Sequence, residues 1–159
     1  MLAVGLPHPR SWRRLMPSRK FLLALAFAAL AAVGAQAAGT ALSVKDEMKT
    51  VVDPASTTLF AVGGEVDPAN GPDAAKVPPA RWEEAGAAAA RLEAIAAGLQ
   101  QPGRAKDAGP WMTYAKQMAV TAGAAGKAAQ ARNGAGLSQA ANDLSDTCSG
   151  CHAKYRPKT

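Results

Sequence analysis

The sequence predicts an all-α domain of four amphipathic helices, and three observations carry that expectation. Apolar residues recur at three- and four-residue steps in four separate stretches, the spacing that gathers side chains on one face of a helix. No stretch of five or more residues beyond position 37 shows the alternating, β-branched pattern of a strand. Gly, Pro and Asn cluster between the four stretches, where chain reversals belong. With 159 residues the chain has room for one domain and not for two comfortable ones.

The N-terminal segment stands apart. Arg10, Arg13, Arg14, Arg19 and Lys20 precede an unbroken apolar run from Phe21 to Val33, and Ala35-Gln36-Ala37 has the small-x-small form of a signal-peptidase site. This is the layout of a bacterial secretory signal, so residues 1–37 are expected to be a cleaved leader and 38–159 the folded domain, with Met16 as an alternative start. A membrane anchor is the rival, but the run falls short of the roughly 20 apolar residues a spanning helix needs. The Arg13-Arg14 pair is only a weak match to twin-arginine export. Loss of the leader removes five basic residues and no acidic one, leaving 13 Lys and Arg against 12 Asp and Glu. The mature charge is then near +1, and a nucleic-acid partner has no compositional support.

The first helix is expected from about Ser43 to Phe60, with Ala41, Val44, Met48, Val51, Val52, Ala55 and Leu59 on one face. Pro54 lies inside it and should kink or split it. Gly63-Gly64 through Pro79 reads as a loop, long for a bundle connection. A second helix follows Pro78-Pro79 and runs to about Leu99, burying Trp82, Ala85, Ala89, Leu92, Ala96 and Leu99 before Pro102-Gly103 stops it. A third starts between Asp107 and Pro110 and runs to Arg132, with Trp111, Ala115, Met118, Ala122 and Ala129 inward. Asn133-Gly134 should end it, since both tolerate the left-handed conformation. A fourth begins near Leu137 or Ser138 and carries Leu144, Cys148, Cys151, His152 and Tyr155 on one continuous face. Alanine dominates all these stripes and buries little apolar area per residue, so something large and apolar is expected to complete the interior.

The chemistry is concentrated in Cys148-Ser149-Gly150-Cys151-His152, a C-x-x-C-H haem-attachment pentapeptide. On a helix, residues three and four apart project from one face, so both thiols can reach the two vinyl groups along one edge of a porphyrin. His152, four positions after Cys148, then brings an imidazole under the iron as proximal ligand. A thioredoxin-like C-x-x-C would instead follow a strand at a helix start. A structural zinc site wants four ligands, and these three are the only Cys and His residues beyond the leader.

The motif near the end of a four-helix chain, extended as Cys148-x-x-Cys151-His152-x-x-Tyr155-Arg156, resembles the class II c-type cytochromes, the cytochrome c prime family. Helix order matches over the whole mature chain, but only this nonapeptide is specific. The resemblance implies a left-handed antiparallel four-helix bundle enclosing covalently attached haem c, a periplasmic location and, in many members, a homodimer. By position it also implies that Tyr155 packs near the haem and that Arg156 lies beside the proximal pocket; a core tyrosine and a solvated arginine are the plain alternatives. Family members often carry an arginine on the first helix near the haem propionates, one turn before the distal residue. Here that position is Val44, and Lys45 is the nearest basic side chain.

The sixth iron position separates the functions open to such a protein. No second histidine remains beyond the leader, so the candidates are the thioethers of Met48, Met112 and Met118. Met48 faces inward with Val44, Val51 and Val52 and resembles in position the distal methionine of the low-spin branch of the family; a methionine packed over the haem without bonding it is the alternative. His152/Met48 ligation implies a one-electron carrier working with redox partner proteins, and not an enzyme. An open position implies a five-coordinate protein that binds nitric oxide or carbon monoxide. A peroxidase-like activity is the weakest reading, because no distal histidine is left to serve it.

Overall fold

The computed structural model describes residues 42–71 and 74–157, and every regular element among them is helical. The expected leader, 1–37, and Ala41 lie outside the described residues. The first helix, α1, spans 44–65 and has three parts: an α-helical Val44–Glu47, a π-helical Met48–Val52 and an α-helical Asp53–Glu65. It is followed by short 3₁₀ turns at Pro68–Asn70 and Ala74–Lys76. Three long helices complete the fold, α2 at Pro79–Leu99, α3 at Pro110–Gln130 and α4 at Gly134–Tyr155.

Ser43 starts α1, its hydroxyl accepting from the Asp46 N–H at 3.1 Å. Of the kink or split expected at Pro54, the split does not occur. Proline offers no N–H to the preceding turn, and its ring crowds that turn. The helix widens just before it: the Asp53 N–H donates to the carbonyl of Met48, five residues back, while Glu47, Met48 and Asp53 all keep right-handed helical dihedrals. The extra residue in the π turn gives the proline ring its room without ending the helix.

The helix also runs on through Gly63 and Gly64, which the sequence placed in a loop. Gly63 is buried because α1 meets α4 there: a β-carbon at Gly63 would lie 2.8 Å from that of Ala141, closer than two carbons can approach. Beyond Glu65 the end of α1 is tied to α2, with Arg81 Nε donating to Glu65 at 3.0 Å and the guanidinium also bridging to Glu84.

The expected stripes of α2 and α3 are all buried. Both helices begin with proline, whose missing N–H is harmless in a first turn. The reversal after α3 differs by a residue or two from expectation. Arg132, with φ of 50°, takes the left-handed position, and Asn133 caps α4, its side-chain oxygen accepting from Gly136 N–H at 3.0 Å. This starts α4 at Gly134, three residues early.

The packed helix pairs are α1–α2, α2–α3, α3–α4 and α1–α4. Half of the 22-residue core is alanine, and these small side chains bring α2 and α3 close together. β-Carbons at Gly86 and Gly126 would meet Ala129 and Ala89 at 3.9 and 3.6 Å, so positions rise along α2 as they fall along α3. Larger residues sit toward the ends and centre: Trp82, Trp111, Leu59, Leu92, Leu137 and Leu144 are all buried. Close packing of α1 on α4 is confined to Asp53–Glu65, whereas Met48–Val52 packs on α2. The two helices are therefore tightly joined at the Gly63 end and less so toward Met48 and Cys148.

Gly63→Ala should test that junction. An alanine in a helix interior is ordinarily favourable by roughly 0.5–1 kcal/mol over glycine, but overpacking here should give a net loss of about 1–3 kcal/mol in denaturant unfolding. Ala141→Gly in the same chain should restore most of it.

Candidate functional site

Cys148, Cys151 and His152 lie in the last two turns of α4. The residues before them, Leu144 and Thr147, are fully packed, while Cys148 and Cys151 are half-buried and both thiols are free. Cys148 touches the core; His152, expected on one face with Leu144, Cys148, Cys151 and Tyr155, is exposed. Burial pushes both thiols up from their ordinary value, and for Cys148 the neighbouring Cys151 adds to it. The C-terminal end of a helix carries the negative end of its dipole, which acts in the same sense. Reactive thiolates of the thioredoxin kind are found in the opposite setting, at helix N-termini.

Gly150 has a steric reason to be glycine. A β-carbon there would stand 2.8 Å from the ring of Tyr114 on α3, which covers the motif's backbone on that side. Gly150 and His152 project about 160° apart around a helix of 3.6 residues per turn, so the imidazole points away from α3. The α4 stripe on that other side is Ser138, Ala141, Asn142 and Ser145, which with Phe60, Gly63, Gly64 and Asp67 lines a groove of about 310 Å³ between α4 and α1. Steps of three and four residues from Ser145 lead to Cys148, Ser149 and His152.

On α1, Phe60 lines this groove; Met48, at the start of the π turn, lies outside it, half-buried and in contact with the core. Met118 is 7% exposed inside the core, as befits a packing methionine, and Met112 is half-buried at the start of α3.

Tyr155 is held from two directions. Its ring packs edge-on against Trp111 at 5.1 Å between centroids, and its hydroxyl donates to Asp107. The other Asp107 oxygen accepts from the N–H groups of Gly109 at 2.9 Å and Trp111 at 3.1 Å, capping α3, while Trp111 Nε1 donates to the Leu99 carbonyl at 2.7 Å. The Tyr155 bond holds the Asp107 carboxyl below its usual value, and desolvation together with that bond raises Tyr155 to about 12. Arg156 is exposed, and its backbone N–H donates to the His152 carbonyl at 3.1 Å, closing the helix.

Three contributors escaped the sequence. Tyr114 gives no signal beyond its place on an amphipathic helix. Asp107 two residues before Gly109-Pro110 is a helix-start pattern, legible as a cap but not as a partner for Tyr155. Arg104 is unmarked in the sequence, yet it donates to Glu47, the neighbour of Met48, and to the Leu42 carbonyl at 3.3 Å, leaving its buried Nε without a hydrogen-bond partner. Compared with known protein families, curated proteins and solved structures, the chain matches none of them.

The Asp107–Tyr155 bond has a calculable pH signature. Asp107 has its folded pKa lowered, so its contribution is present above the ordinary carboxylate range and lost as pH falls through the folded value. Tyr155 is raised, so its contribution is full below about pH 10 and disappears as pH climbs through about 12. The stability gap between the wild type and Tyr155→Phe should thus be flat from pH 5 to 9, shrinking below about pH 4 and above about pH 10. Urea unfolding across that range is the measurement; the absence of a gap at every pH would show that the ring, not the hydroxyl, holds the site.

Proposed function

We propose that this chain is a periplasmic c-type cytochrome of the class II, cytochrome c prime kind, a one-electron carrier whose haem is bound covalently by Cys148 and Cys151 with His152 on the iron. The observation that carries this is the placement of the pentapeptide: two free, half-buried thiols on one face at the end of α4, with an exposed imidazole next to them. The four helices are taken as an antiparallel bundle with the haem between α1 and α4, on the side where their packing is loose.

The donor set suits the group. Protonated, partly desolvated thiols beside an exposed histidine fit the covalent and proximal bonds of haem c better than they fit a bare metal ion or a disulfide exchanger. Bound haem supplies one-electron chemistry, and the protein sets its potential through ligand, burial and hydrogen bonding. Of this chain's residues, the cysteines fix the ring, Tyr114 and the packed stripe of Leu144 and Thr147 hold the motif helix in place, and Met48 supplies a thioether from the far side.

Expression with a haem-attachment system should give a chain that keeps its haem through acid-acetone extraction and stains for haem on a denaturing gel. Replacing either cysteine should weaken that attachment. With Met48 on the iron, the oxidised protein should be low-spin and indifferent to carbon monoxide. Met48→Ala should make it high-spin, open to carbon monoxide and lower in potential. A wild type that is already high-spin and binds carbon monoxide supports the gas-binding function instead; haem extracted completely by acid-acetone overturns the cytochrome reading.

A further inference from the structure

The connection between α2 and α3, residues 100–109, carries two polar side chains that reach in opposite directions. Arg104 binds the front of α1, through Glu47 and the Leu42 carbonyl. Asp107, three residues on, accepts from Tyr155, which stands three residues beyond His152 on α4. Both contacts are sheltered: the side chains of Arg104 and Glu47 are 20% and 15% exposed, and Tyr155 is half-buried against Trp111. Between these two anchors the connection is itself stiffened. Arg104 and Ala105 N–H both donate to the Gln101 carbonyl, at 3.1 and 3.2 Å, and Asp107 is fixed to the first turn of α3.

Where α1 and α4 pack directly, near Gly63 and Ala141, their separation is set by the Ala141 methyl against the Gly63 backbone. At the other end, Met48 and His152 stand on segments not closely packed on each other. The loop bridges that gap from the side. We propose that the 100–109 connection is a clamp, with Arg104–Glu47 as one jaw and Asp107–Tyr155 as the other, that fixes the distance between the Met48 and His152 segments. Arg104, Glu47, Asp107 and Tyr155 are thereby positioning residues for the iron's two axial side chains. The proposal rests on the cytochrome reading with Met48 as sixth ligand.

A thioether is a neutral, weak donor on a flexible stem, so its bond to iron depends on how closely α1 is held. A charge-assisted hydrogen bond at either jaw contributes to that hold, and losing one should move the low-spin to high-spin ratio by roughly tenfold. The test is the spin state and carbon monoxide affinity of the covalently loaded holoprotein in five forms: wild type, Glu47→Gln, Tyr155→Phe, the pair combined, and Arg81→Gln. The last removes an ion pair of similar chemistry joining α1 to α2 at the opposite end.

A low-spin wild type, with Glu47→Gln and Tyr155→Phe each raising the high-spin fraction and carbon monoxide binding while Arg81→Gln changes neither, supports the clamp. So does a wild-type spectrum retained in a sixth form, Arg104→Lys, where the cation is kept. Jaw variants that lose stability but remain as low-spin as the wild type overturn it, as does Arg81→Gln behaving like them. The premise is read separately, from the wild type alone. A haem-free chain ends the cytochrome reading, and a haem-loaded but high-spin wild type ends Met48 ligation and the clamp together. If Glu47→Gln fails to fold, Tyr155→Phe still decides, since it removes one hydroxyl and keeps the ring on Trp111.

Discussion

Gly63 and Ala141 bring α1 and α4 so near that beside the Ala141 methyl there is no room for a second one on Gly63. Helices joined that tightly at one point cannot be parallel neighbours along their whole length and also leave space for a large planar group. The room must come from divergence away from the contact. That is the pattern here, since only Asp53–Glu65 of α1 packs closely on α4 and the π-helical segment leans on α2 instead. A glycine near one end thus fixes where α1 and α4 come closest, and the C-x-x-C-H motif lies toward the other end.

Pro54 belongs to the same design. A proline in a straight α-helix would kink it, sending the N-terminal part off in a direction set by the ring. The π turn over Met48–Val52 absorbs the proline, and in doing so it turns the preceding residues about the helix axis by one extra position. Met48 is the first residue of that turn. Its direction is therefore set by the proline six residues later as much as by its own place in the heptad, which is why counting threes and fours from Val44 is an unsafe guide to where it points. Residues Val44–Glu47, before the turn, are then joined to the rest of the molecule by Arg104, a contact between residues 57 apart in sequence.

What could be read from the sequence followed from local rules. The stripes of α2 and α3 obey helical periodicity without interruption, and every residue assigned to them is buried. The continuity of α1 could not be read, because a proline inside a helix can be met by a kink, a break or a π turn, and the choice depends on packing against α2. Gly63-Gly64 looked like loop for the sound reason that glycine weakens helices. Only the presence of α4 across from Gly63 makes its missing side chain an advantage. The C-x-x-C-H motif was legible at once, being contiguous in the sequence. Its surroundings were not: Tyr114, Arg104 and Asp107 come from α3 and from a loop, and a single chain gives no means of pairing them with Gly150, Glu47 and Tyr155.

The alanine content of the core bears on how firmly this arrangement holds by itself. Ordering each residue's backbone costs roughly 1–2 kcal/mol, and an alanine side chain returns little buried apolar area against that. Between α2 and α3 the deficit is eased by close approach, with glycines and alanines facing one another and Trp82 and Trp111 packed at the two ends. The front of α1 has no such compensation. Val44, Met48 and Val51 are only half-buried, and the sheltered polar bond there is to Arg104. If haem occupies the α1 side of Cys148 and His152, it adds apolar area at the place where the protein supplies least of its own. In that case attachment and completion of the fold are one event: the helix that offers Met48 becomes well packed only when there is something for Met48 to pack against.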